Sequence, residues 1–217
     1  MTTPGKGRKQ PAGGAGGGGK ARDGTHGAGK ARDGAGGRRA GRVSHAPGAG
    51  AARSGGAARE RGFWLLKTEP GSYSIADLER DGVTAWSGVR NYQARNTLRD
   101  QMRLGDGVLF YHSSADPPSV VGLAEVASRP RPDDTAFDPK DDHHDPASER
   151  EKPTWFLVDI RHVETFAQPL GRDTLGTVPE LRHMVLLQRG SRLSVQPVRR
   201  DEFELIVRLA HAAARRA

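Results

Sequence analysis

The sequence predicts a β-rich α+β domain, a compact mixed barrel flanked by helices, behind a disordered N-terminal tail. Three observations lead there. Strand-length apolar runs outnumber helical stretches from Phe63 onward, and several must pair across long stretches of chain. The last segment carries Phe203, Ile206, Val207 and Ala210 at i, i+3, i+4 and i+7, a helix suited to lie on a sheet. Composition changes abruptly at Gly62 and Phe63, so the 217 residues divide into a tail, 1–61, and a foldable domain, 62–217.

The tail is glycine-rich and, alanines apart, offers only Met1 and Val43 as apolar residues. Such a segment cannot offset an ordering entropy of roughly 1 to 2 kcal/mol per residue. GKARDG occurs twice, at Gly19–Gly24 and Gly29–Gly34, which reads as low-complexity expansion. The tail holds 13 Lys+Arg and 3 Asp+Glu, a net +10. The other residues hold 34 − 13 = 21 basic and 26 − 3 = 23 acidic side chains, a net −2. The overall basicity therefore belongs to an arm, either a salt-sensitive polyanion tether or a solubility tail. Absence of cysteine rules out disulfides, thiolate zinc sites and a cysteine nucleophile. With no membrane-length apolar run and no h-region, the default is a soluble cytoplasmic protein, compatible with nucleoid association, with a monomer expected.

The elements follow in order. Phe63–Lys67, FWLLK, reads as a buried strand ended by Pro70-Gly71. Ser74 caps a helix over Ile75–Arg80, with Asp77 completing a capping box and Gly82 closing it. Val83, Ala85 and Trp86 end a short strand that Ser87-Gly88 breaks. From Tyr92, the apolar stripe Ala94, Leu98, Met102 has helical spacing, and Asn91, Arg95 and Arg99 fall on another face. GVLFYHS and VVGLAEVA read as neighbouring strands about the Asp116-Pro117-Pro118 turn. Residues 129–153 form a long aperiodic surface loop, and Thr154–Phe166 is a strand. Residues 170–187 suggest one short helix near Pro179, residues 192–198 a strand, and a helix starts near Arg200.

The passage Val83–Arg99 concentrates the chemistry. An indole beside a step that exposes backbone donors, with a basic helix close behind, suits a flat polar ring attached to a phosphate. Trp86 as plain core is the competing reading. Trp64 and Trp155 sit inside apolar strand patterns and read as core.

In this order, FWLLKTEP, AWSGVRNYQARNTLR, GDGVLFYHS, VVGLAEV, TWFLVDI and RLSVQPV closely resemble the EVE domain of the PUA-like superfamily, over Phe63–Leu209. The resemblance implies a PUA-like mixed β-barrel flanked by helices, with an aromatic pocket that reads a modified nucleobase, such as a 5-substituted cytosine, in DNA or RNA. It is similar in outline to the YTH readers of methylated adenine. On this resemblance Trp86 is a cage wall and Ser87 bonds the base edge. Gly88, Val89, Arg90 and Asn91 form the lip. Tyr111, His112 and Ser113 end a facing strand, and Ser194, Gln196 and Pro197 close the other side. Arg90, Arg95 and Arg99 would hold phosphates. No cofactor is implied. The long tail and the acidic stretch Asp141–Pro146 depart from the family pattern.

Stacking on an aromatic ring is worth roughly 1 to 3 kcal/mol, and extracting a base from a duplex costs a few. Hydrogen bonds and phosphate contacts must supply the surplus. One buried methyl adds only about 0.8 kcal/mol, about fourfold in affinity. The alternatives are an RNA-binding or protein-interaction module without base selectivity, and an enzyme acting on modified nucleosides. Asp106, His112 and Ser113 suggest a triad, but adjacent strand residues face opposite ways and no G-x-S-x-G elbow occurs. Asp141-Asp142-His143-His144-Asp145 has no metal-site spacing and reads as a solvated loop.

Overall fold

The computed structural model describes residues 59–216, so the expected disordered tail lies outside the described residues. In chain order the elements are β1 (Phe63–Thr68), α1 (Ile75–Asp81), β2 (Val83–Ala85), α2 (Tyr92–Asn96), β3 (Gly107–His112) and β4 (Ser119–Val126). They continue as β5 (Arg131–Pro132), β6 (Phe156–Leu157), β7 (Asp159–Gly171), α3 (Arg172–Gly176), β8 (Val195–Pro197) and α4 (Arg200–Ala214). Six strands form one mixed sheet in the order β2-β7-β4-β3-β1-β8, curled into a half-barrel, and β5 pairs with β6 apart from it. Only β1 and β3 run parallel within the large sheet. Register breaks in β4 against β3 and β7 bend the sheet.

Both faces of the central strands are covered, which is why β1 and β3 carry continuous apolar runs, Phe63–Leu66 and Val108–Tyr111, instead of alternating. On one face Trp64, Leu66, Val108 and Phe110 meet Leu78 of α1 and Ala94 of α2. On the other, Phe63, Leu65, Leu109 and Tyr111 meet Leu175 of α3 and Ile206 of α4. The Ser74 box forms as its spacing predicts: Ser74 Oγ accepts the Asp77 N–H at 3.1 Å, and Asp77 Oδ2 accepts the Ser74 N–H at 2.9 Å. Gly82 ends α1 with φ +71°, a conformation that disfavours a side chain.

Several boundaries differ from the sequence reading. The helix at Tyr92 stays α-helical for five residues and then widens, over Thr97–Gln101, into a π turn closed by the Met102 N–H to Thr97 O at 3.0 Å. The stripe Ala94, Leu98, Met102 is nonetheless fully buried. The strand placed over residues 154–166 splits into β6 and β7, with β7 running on to Gly171. Residues 170–187 hold α3 and two 3-10 turns, Pro179–Leu181 and Val185–Leu187, instead of one helix. The 129–153 loop is organised by a 3-10 turn, Asp134–Phe137, and by a buried carboxylate.

Candidate functional site

Trp86 follows β2, and its N–H donates to Val158 O at 2.8 Å. The indole is 0% exposed and packs edge-on against Phe110, with ring centroids 5.8 Å apart. No face of it is open to a base in this conformation, and its Nε1–H has no partner among the described residues. Sequence reasoning weighed core against wall, and the geometry is that of core.

The rest of the step is tied down by the loop. Gly88 adopts φ +76°, its N–H donates to Asp133 Oδ2 at 2.9 Å, and a Cβ there would lie 2.9 Å from the His143 ring. Val89 and Ser87 are buried. Arg90, expected at a phosphate, donates to Asp133 Oδ2 at 2.8 Å, Thr135 Oγ1 at 2.9 Å and His143 O at 2.7 Å. Burial of Asp133 pushes its carboxyl up, but the hydrogen bonds from Arg90, Thr135 and Gly88 outweigh that and hold it below the ordinary carboxylate value. Asn91 Oδ1 caps α2, accepting the Gln93 and Ala94 N–H groups at 3.0 Å. The Arg90 guanidinium and the Asn91 side-chain oxygen are thus spent on the fold. Asp133 is the partner sequence reasoning missed; its one visible signal was the Asp-x-Thr spacing that caps the Thr135 turn.

The facing-strand candidates divide between the two sides of the sheet. His112 lies on the Trp86 side, its ring 5.7 Å from Phe110, and its Nε2 accepts the Ile75 N–H at 3.2 Å. Burial lowers its pKa, so it stays a neutral imidazole with the proton on Nδ1. Tyr111 belongs to the opposite cluster, beneath the Lys67 ammonium at 5.8 Å. Gln196 pairs across from Leu65 on that side, donates to Ser191 Oγ and Leu193 O at 2.9 Å, and keeps a buried Oε1 without a partner among the described residues. Lys67 Nζ donates to Ser191 O at 3.2 Å, and burial together with the Arg172 charge lowers its pKa. Ser113 is held by Thr68 O, Ser194 O accepts the Lys67 N–H, and Pro197 is exposed opposite Trp64.

Asp106 sits at the far end of β3 from His112 and Ser113, accepting the Gly62 N–H and the Trp64 indole N–H, both at 2.8 Å. A relay through these three is therefore not assembled. Among the described residues no group of three His, Asp or Glu converges as a metal site, and no helix is long and apolar enough to cross a membrane.

Arg95 and Arg99 are brought together as expected. With Lys152, Pro153 and Thr154 they line an open cleft of about 550 Å³, in which Glu149 is the one opposing carboxylate. Arg95 donates to Thr154 O and lies 5.1 Å from the Tyr92 ring and 5.9 Å from Trp155. Arg99 pairs with Asp100 at 2.7 Å and rests over Phe156 at 5.6 Å. Lys152 had no local signal in the sequence, because only tertiary folding carries the loop to the helix.

Comparison with known proteins gives consistent results. The EVE domain family model matches residues 62–209. Thymocyte nuclear protein 1 of Rattus norvegicus is 38% identical over 169 residues, 69% of this chain and 74% of that protein. A hypothetical protein from Leishmania major superposes with a TM-score of 0.68 at 41% identity, covering 71% of this chain and 98% of that one. Human THYN1 in complex with 5-methylcytosine-containing DNA superposes with a TM-score of 0.64 at 35% identity, covering 69% of this chain and 97% of that one.

Proposed function

The chain belongs to the EVE domain family, and from that premise we propose that it is a non-enzymatic DNA-binding module. The observation that carries this reading is the cleft lined by Arg95, Arg99 and Lys152 against Glu149, with Arg99 also paired to Asp100 beside it, which leaves a local cationic excess on a domain whose overall charge is slightly negative. Such a strip supplies the salt-dependent phosphate affinity that nucleic-acid binding needs. The complex of human THYN1 with 5-methylcytosine-containing DNA supports the same ligand class.

Recognition of a modified base is the finer part of the proposal. Trp86, sealed against Phe110 on the other side of the sheet from Tyr111, is scaffold and walls no base slot. Base reading falls to the strand ends around the half-buried Lys67, whose ammonium lies 5.8 Å from the Tyr111 ring. The module works where DNA is, in a nucleus or a nucleoid; the relatives' name, thymocyte nuclear protein, points to the former. Titrating the chain with 5-methylcytosine-containing and plain oligonucleotides over a salt series tests both levels. Binding that weakens steeply with salt supports the DNA-binding module, and tighter binding to the modified strand supports the reader. Salt-independent or absent binding sinks both.

A further inference from the structure

We infer that the Tyr92 ring, held against Trp155 beside the Arg95–Arg99 cleft, is a stacking platform for an unpaired nucleobase, so the preferred ligand is a strand with at least one unstacked nucleotide. This rests on the nucleic-acid reading above and specifies its ligand. Tyr92 is 62% exposed, yet it is not loose: its centroid lies 5.0 Å from that of Trp155 at an interplanar angle of 30°. Trp155 is fixed in turn, donating Nε1–H to Asp145 Oδ2 at 2.6 Å and carrying the Arg90 guanidinium 5.3 Å from its ring. A ring positioned before binding loses little freedom on stacking, which is the usual cost of an exposed side chain.

Arg95 joins the two functions. Its guanidinium lies 5.1 Å from Tyr92 and also lines the cleft, so a nucleotide can rest its base on the phenol while its phosphate meets Arg95, Arg99 and Lys152. Bases inside a duplex have both faces covered by their neighbours and offer nothing to Tyr92. The platform therefore discriminates by pairing state, independently of base modification.

The experiment uses the full chain, with fluorescence anisotropy on a labelled oligo-dT and on a long blunt duplex of plain sequence. Tyr92→Ala should weaken oligo-dT binding roughly 10-fold, Tyr92→Phe less than about 2-fold, and neither should move duplex binding more than about 2-fold. Lys152→Gln should weaken both ligands equally. If Tyr92→Ala binds oligo-dT as tightly as wild type, or loses both ligands equally, the platform is overturned while nucleic-acid binding stands. If the wild-type chain binds neither ligand at low salt, the nucleic-acid reading itself falls, and the platform with it.

Discussion

Arg90 and Asp133 form an ion pair at 2.8 Å in which the carboxylate is completely buried, and the same Asp133 oxygen accepts the Gly88 N–H. This junction fastens the 129–153 loop to the Trp86-Ser87-Gly88 step.

Removing one partner of a buried pair leaves a charge uncompensated, so Asp133→Ala should lower unfolding free energy by about 3 kcal/mol or more. Urea denaturation measures it. Arg90→Ala should cost a comparable amount. Neither variant should alter the salt slope of oligonucleotide binding under conditions where it is folded, since Arg90 is committed to the fold. A flatter slope for Arg90→Ala would return this residue to the phosphate site.

Trp86→Phe tests whether the indole is scaffold. The smaller ring leaves a void, but the substitution also removes a buried N–H that has no partner, a group whose desolvation costs about 1 to 3 kcal/mol. The two effects offset in part, so the expected loss is below about 2 kcal/mol, with oligonucleotide affinity within about twofold of wild type. A tenfold loss of affinity in a stable Trp86→Phe variant would make the indole a ligand contact.

His112 gives the fold a pH dependence. The unfolded imidazole titrates near about 6.5, whereas burial holds the folded one lower. Between the two values the unfolded chain binds more protons, so this group's contribution to stability falls as pH drops below about 6.5 and is flat above it. Thermal melts from pH 8 to 5 should show a shallower decline for His112→Gln than for wild type.

The capping box adds a second, more acidic window. Hydrogen bonds from Ser74, with help from Arg80, hold the Asp77 carboxyl at about 2. A depressed carboxylate stabilises the fold above its unfolded value of about 3.9 and loses that contribution as pH falls through its folded value. Ser74→Ala should cost about 1 kcal/mol at neutral pH, and Asp77→Asn should flatten the acid limb of the stability curve between about pH 4 and 2.

Phosphate contacts should appear as changes in slope. Arg99→Gln and Lys152→Gln should each reduce the dependence of log affinity on log salt by about one unit, at equal cost to modified and plain strands. Unchanged slopes would place the DNA elsewhere.

The strands of the half-barrel were legible because FWLL and GVLFYH are buried on both faces and carry no competing pattern. The Ser74 cap was legible because its chemistry is local. Arg95 and Arg99 were legible as a pair because helical spacing puts them on one face. Three features were not. Trp86 has the same local sequence whether it lines a slot or fills a core; only Phe110, from a strand beyond it in sequence, decides. Tyr111 and His112 looked like one facing wall, but the pleat sends them to opposite clusters. Asp133 and Lys152 act through partners about 45 and 55 residues away in sequence, a separation across which no periodicity argument reaches.

The two banks of the cationic cleft come from different kinds of backbone: a short helix carrying Arg95, and irregular chain carrying Lys152 and Thr154. Irregular chain tolerates insertion and exchange far better than a helix seated on a core. A descendant could therefore widen, narrow or recharge this groove by rewriting residues 147–154 alone, retuning ligand preference while the sheet beneath keeps its architecture.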